Sequence, residues 1–86
     1  MDRNLRLELY LSLLLLGADS LLLSALAAWR DGVDEKELLA DLHNWNEAKL
    51  LEMKEWLSTM SGSELEAAQE RIRQYEDMRE TLKQAA

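Results

Sequence analysis

Seventeen Asp and Glu side chains dominate the ionisable groups of this 86-residue chain, and a single histidine, His43, stands among them. Carboxylates can bind metals or move protons, and helical di-iron sites pair them with Glu-x-x-His motifs that face into a bundle. That spacing is missing, because Ala40 stands three residues before His43. One histidine rules out a multi-histidine zinc site within a chain, and the lack of cysteine rules out thiolate zinc, disulfides and a cysteine nucleophile. No glycine-rich phosphate loop or Ser-His-Asp arrangement occurs. The expectation is a protein with no catalytic residues, no cofactor and no metal, in which His43 is a surface residue. The catalytic alternative is a carboxylate pair assembled across a dimer.

Three polar residues sit where apolar ones are expected. Asp19 interrupts a leucine-rich stretch, and Asn46 and Lys49 fall on the apolar stripe of a later helix. In an antiparallel pair of helices turning at Gly32, Asp19 and Asn46 come close together, with Lys49 a turn further on. A buried contact among them lowers the cost of each group and fixes register. The plainer reading, taken here, is that Lys49 snorkels to water and Asp19 caps a helix at a kink. Trp29, Trp45 and Trp56 are candidate partner anchors, since tryptophan is enriched in binding hot spots. Ordinary core or groove packing is the reading preferred for them.

The elements that carry these residues are helices. The chain has no proline, no phenylalanine, three glycines, one valine and one isoleucine, and it is rich in leucine, alanine and glutamate. Unbranched side chains favour helix and leave little to build a sheet. A helix is expected over about residues 2–31, with Asp2 as its cap. Gly17-Ala18-Asp19-Ser20 either kinks that helix or breaks it in two, and continuity or a kink is the reading preferred. Asp31-Gly32-Val33-Asp34 is a turn, with Asp34 and Glu37 forming a capping box. A second helix is expected over about 35–60. Its stripe of Leu38, Leu39, Leu42, Trp45, Leu50, Met53, Trp56, Leu57 and Met60 spans an arc of roughly 140°. Ser61-Gly62-Ser63 breaks the chain again, and Ser63 with Glu66 caps a third helix over about 64–84. Leu65, Ala68, Ile72, Tyr75 and Leu82 form its narrower stripe, which suggests a helix laid on the outside of the core. The fold class is all-α: an antiparallel helical hairpin plus a third helix, three or possibly four helices in one domain, assembled as a dimeric bundle.

Charge divides the chain unevenly. The net charge is −7, with four acidic and three basic groups in residues 1–33 and thirteen acidic and seven basic in residues 34–86. Such a balance argues against direct nucleic-acid binding, which needs clustered Lys and Arg. Leu9 to Trp29 is 21 residues long with one charge, Asp19. That is the length of a membrane span, but an aspartate at its centre costs about 2.5–3.5 kcal/mol on insertion scales. Flanking helices with matching stripes offer these leucines a protein interior instead. Ala25-Leu26-Ala27 mimics a signal-peptidase site, yet Asp2, Glu8 and Asp19 do not suit a leader. A cytoplasmic protein is expected, and the absence of cysteine fits that setting.

Leucines pointing in every direction make the first segment a helix that needs cover on all sides. Two further helices cannot enclose it. A second copy of the chain is the simplest cover, because identical surfaces meet by symmetry. Leu9, Tyr10, Leu13, Leu14, Leu16, Leu22 and Leu26 are the candidate interface residues. The functional expectation is a non-enzymatic regulator, inhibitor or adaptor acting as a homodimer on another protein. The alternatives are a phage-type acidic inhibitor that blocks a nucleic-acid-binding or defence protein, and a membrane-associated helical protein.

Overall fold

In the computed structural model, residues 2–33 and 35–85 are described. They form four α-helices: α1 (Arg3–Leu15), α2 (Asp19–Asp31), α3 (Glu35–Trp56) and α4 (Ser63–Ala85). A single 3-10 turn, Leu57–Thr59, follows α3. No strand occurs among the described residues. Asp2 caps α1, its Oδ1 accepting from the Leu5 N–H at 3.0 Å.

The first segment does not run on as one continuous or kinked helix. It stops at Leu16 and turns at Gly17, whose φ of 71° lies in the left-handed region that a side chain disfavours. The Ala18 N–H donates to the Leu13 carbonyl (3.0 Å) and the Gly17 N–H to that of Leu14 (3.3 Å). These two bonds satisfy carbonyls that the helix end would otherwise orphan. Folding back also lets the two greasy halves cover each other: Leu9, Leu13 and Leu16 of one half join Leu22 and Ala25 of the other in a single core. Gly32 repeats the device at the end of α2, with φ 67° and the Val33 N–H donating to the Ala28 carbonyl at 3.2 Å. Asp34, the expected cap of α3, lies outside the described residues.

Two further boundaries differ from expectation. The α-helical part of α3 ends at Trp56, and Met60, expected at its end, is extended beyond the 3-10 turn. Ser63 is the first residue of α4 rather than its cap. The Gly62 carbonyl accepts from the Glu66 N–H at 3.2 Å, so Gly62 holds the capping position.

The four helices pack as a ring. α1 rests on α2 and α4, and α3 rests on α2 and α4. α3 buries Leu38, Leu42, Asn46 and Leu50, a row at intervals of four that places Asn46 on the centre line of the core face. α4 buries Ala68, Ile72, Tyr75, Met78 and Leu82. It therefore belongs to the core, contrary to the outer position expected for it. Met78, absent from the expected stripe, is fully buried and fills the gap between Tyr75 and Leu82.

The two halves differ in length. α1 and α2 have 13 residues each, whereas α3 and α4 have 22 and 23. At 1.5 Å per residue that is about 20 Å against about 33–35 Å. α1 begins level with the end of α4, since Arg6, Leu82 and Ala85 line one cavity. It ends level with Arg71, whose Nη1 donates to the Leu15 carbonyl at 3.2 Å. Beyond that level α3 and α4 project as a bare overhang, and the longest dimension of the molecule is 45 Å.

Candidate interaction surface

The leucines of the first segment divide into two sets. Leu9, Leu13, Leu16 and Leu22, four of the seven expected interface residues, are buried in the chain's own core. Tyr10 is half-buried against that core, and Leu14 and Leu26 are exposed. Folding back at Gly17 consumes one face of each short helix, so the surface left for a partner is the opposite one. On α1 it is Leu7, Leu11, Leu14 and Leu15, spaced i, i+4, i+7, i+8 as one helical stripe. On α2 it adds Leu23 and Leu26. These six are between 41 and 68 % exposed. Leu7, Leu11, Leu15 and Leu23 were not singled out in the sequence. The sign that would have found them is the glycine stop, which fixes the inward face.

The polar trio is not brought together. Asp19 is exposed in the first turn of α2, after a cap residue, Ala18, that makes no side-chain capping bond. Its charge favours that helix end through the dipole. Lys49 is half-exposed, with Nζ 3.8 Å from Glu52 Oε2. Asn46 is fully buried and turns to α4, its Nδ2 donating to the Tyr75 carbonyl at 2.9 Å. Its Oδ1 is buried without a hydrogen-bond partner among the described residues. The alternative of an Asp19–Asn46 contact required an unbroken first helix paired about Gly32. The break at Gly17 carries Asp19 to the exposed end of α2 instead.

The tryptophans also separate. Trp45 packs edge-on against Tyr75, with ring centroids 5.8 Å apart, and is core. Trp29 is half-buried beneath the Arg6 guanidinium, 6.0 Å from the ring centroid. Trp56 alone of the three is exposed, at the end of α3 on the overhang.

Ion pairs tie helices that are distant in sequence. Arg79 clasps Glu47 through two bonds, at 2.5 and 2.8 Å. Hydrogen bonding to Arg79 holds the Glu47 carboxyl below its ordinary range against a smaller opposing effect of burial, and it raises the Arg79 guanidinium. Arg6 Nη2 meets Glu35 Oε1 at 2.6 Å. Burial pushes the Glu35 carboxyl up, but the hydrogen bonds it accepts, that from Arg6 among them, outweigh this and hold it low.

A cavity of about 860 Å³ opens where α1 begins, α2 turns into α3 and α4 ends, with Arg6, Val33, Leu39, His43, Leu82 and Lys83 in its lining. A second, of about 330 Å³, lies on the overhang between Met53, Met60, Glu64, Ala67, Ala68 and Arg71. No group of three or more His, Asp and Glu placed to hold a metal occurs among the described residues. No helix of the described residues is long and apolar enough to cross a membrane, because Gly17 divides the apolar stretch. Comparison with protein-family models, with curated proteins and with solved structures finds no match to this chain.

Proposed function

We propose that this protein acts without catalysis, as a helical interaction protein that self-associates through the outer leucine face of α1 and α2. The observation that carries the reading is the six exposed leucines on two short neighbouring helices. Contiguous apolar patches beyond a few hundred Å² are uncommon on monomers and mark interaction surfaces. The total surface points the same way. A compact monomer of 9.9 kDa exposes roughly 5,200 Å². This chain exposes 5771 Å². Removing about 800 Å² per partner, the share of a standard interface, brings it close to the compact value.

A second copy is the occupant that suits this face best. A two-fold pair buries the same surfaces on both copies, so a single contact made twice covers this face on each of them. Light-scattering mass on a sizing column, in detergent-free buffer, tests the reading. A mass of two chains is expected, and a monomer at every concentration up to hundreds of micromolar would overturn it.

The assembled protein would then work as a regulator, inhibitor or adaptor on another protein. The exposed carboxylates of α3 and α4, among them Glu37, Asp41, Glu55, Glu66 and Glu76, support a second reading in which the target surface is basic, such as a nucleic-acid-binding groove. Capture of a target by this face would weaken as salt rises; salt-independent capture would remove the reading.

A further inference from the structure

The short α1–α2 pair on the longer α3–α4 pair gives the chain the outline of a stepped block. The step is apolar. On α4, Ala67, Arg71, Gln74, Met78 and Leu82 recur at intervals of three and four, so they share one strip of the helix. The lower part of that strip is covered by α1. Gln74 lines a narrow cleft with Ser12, Leu15 and Leu16, and Arg71 reaches the Leu15 carbonyl. The upper part is bare. There Ala67, Ala68 and Arg71 form the open 330 Å³ groove with Met53 and Met60 of the α3 side. The covered strip and the groove are thus one continuous surface, of which this chain's own α1 fills only the first half. Small alanines leave room for a neighbour's large side chains, and flexible methionines adapt to them.

We infer that the second copy interlocks with the first antiparallel, the outer leucine face of each α1–α2 pair seated in the other copy's α3–α4 groove. This rests on the self-association proposed above and specifies its contacts. Lengths support it. Two short pairs set end to end at their Gly17 turns measure about 40 Å, close to the 33–35 Å of each long pair, so the two steps fill one another to within about one helical turn. Counting 1.5 Å per residue from each end of the block, Leu11 of one copy falls level with Met53 and Ala67 of the other, and Leu7 with Met60. The leucine stripe and the groove are then buried in one two-fold assembly, with Trp56 at its margin, while Val33 and Leu51 belong to neither surface. The arrangement that competes with it pairs the leucine stripes directly and leaves both grooves open.

Cross-linking between variants separates the two arrangements. The chain has no cysteine, so single introduced thiols report their own contacts. Leu11 and Ala67 are both exposed, which spares the fold, and retention of helicity by circular dichroism checks this. Mixing the Leu11→Cys and Ala67→Cys variants is expected to give the mixed disulfide dimer as the main product, several-fold over either like pair. Ala67→Arg in the full chain is expected to weaken association at least tenfold, as Leu11→Glu does. If wild type dimerises but Leu11→Cys pairs mainly with itself and Ala67→Arg dimerises normally, the interlock is wrong and self-association stands. If wild type is monomeric, both fail.

Discussion

The two halves of this molecule solve one problem differently. α3 and α4 turn mostly charged outer faces to water, with Leu51, Trp56 and the groove beside Ala67 as the apolar exceptions. α1 is leucine-rich all round, and burying one face against the core leaves Leu7, Leu11, Leu14 and Leu15 in water, to which α2 adds Leu23 and Leu26. The difference teaches that a helix's composition states how many faces must be covered, while the chain's turns decide which face is covered from within. Here the decision falls at Gly17. A chain that continued straight would have presented Leu9 and Leu13 to a partner; the chain that folds back presents Leu7 and Leu11.

That contrast is open to a direct break. Leu13→Ala removes a fully buried side chain and is expected to cost about 2–5 kcal/mol in unfolding free energy. Leu11→Ala, on the opposite face of the same helix, is expected to change the stability of the isolated chain by less than about 0.5 kcal/mol and to weaken only association. Denaturant titration of both at low protein concentration checks the pair, and equal losses would dissolve the distinction between the faces.

Gly17→Ala tests what sets the faces. A left-handed φ costs a side-chain-bearing residue roughly 1–2 kcal/mol, and nothing crowds the position otherwise. A melting temperature lowered by several degrees is expected, and an unchanged one would mean that the turn tolerates another conformation. Asn46→Leu sharpens the contrast from the other half. It exchanges one hydrogen bond and one unpartnered buried oxygen for apolar volume in the centre of the core, and is expected to add about 1 kcal/mol. That gain corresponds to roughly 4–8 °C in melting temperature for a domain of this size. A loss would show that the Tyr75 contact outweighs the orphaned oxygen.

The smallest effect is electrostatic. The Glu47 carboxyl lies below its ordinary 4.5 in the folded chain, so its contribution is fully present above that value and disappears as pH falls through the folded one. Wild type and Glu47→Gln should therefore differ slightly in thermal stability at pH 7 and converge under acid. A gap that widened on acidification would contradict the Arg79 pairing.

Much of this architecture was legible in the residues. Composition gave helices, the turn at Gly32 was plain, and Asp2 caps α1 as its position suggests. The i+4 row of α3 was visible too, with Asn46 inside it. What failed in the first segment has one cause. Gly17 inside a greasy run costs little in a continuous helix, so sequence alone could not weigh that cost against the burial gained by turning back. The misplacement of the inward set of leucines follows from that one junction. Met78 was missed although it follows Tyr75 by three residues and precedes Leu82 by four, the spacing of the stripe itself.

The closed ring of helices has a consequence for how quickly the chain finds its structure. Three of its four sides join helices adjacent in sequence, which a nascent or refolding chain can assemble with little loop entropy. Only the side where α1 meets α4 spans the whole chain, and closing it is the costly step. Refolding in the microsecond-to-millisecond range follows from such local connectivity. If closure comes after the rate-limiting barrier, substitutions along the α1–α4 seam, Arg71 among them, will hasten unfolding while leaving the refolding rate nearly untouched. The lifetime of the folded state, more than its rate of formation, would then be set at the joint between the first helix and the last.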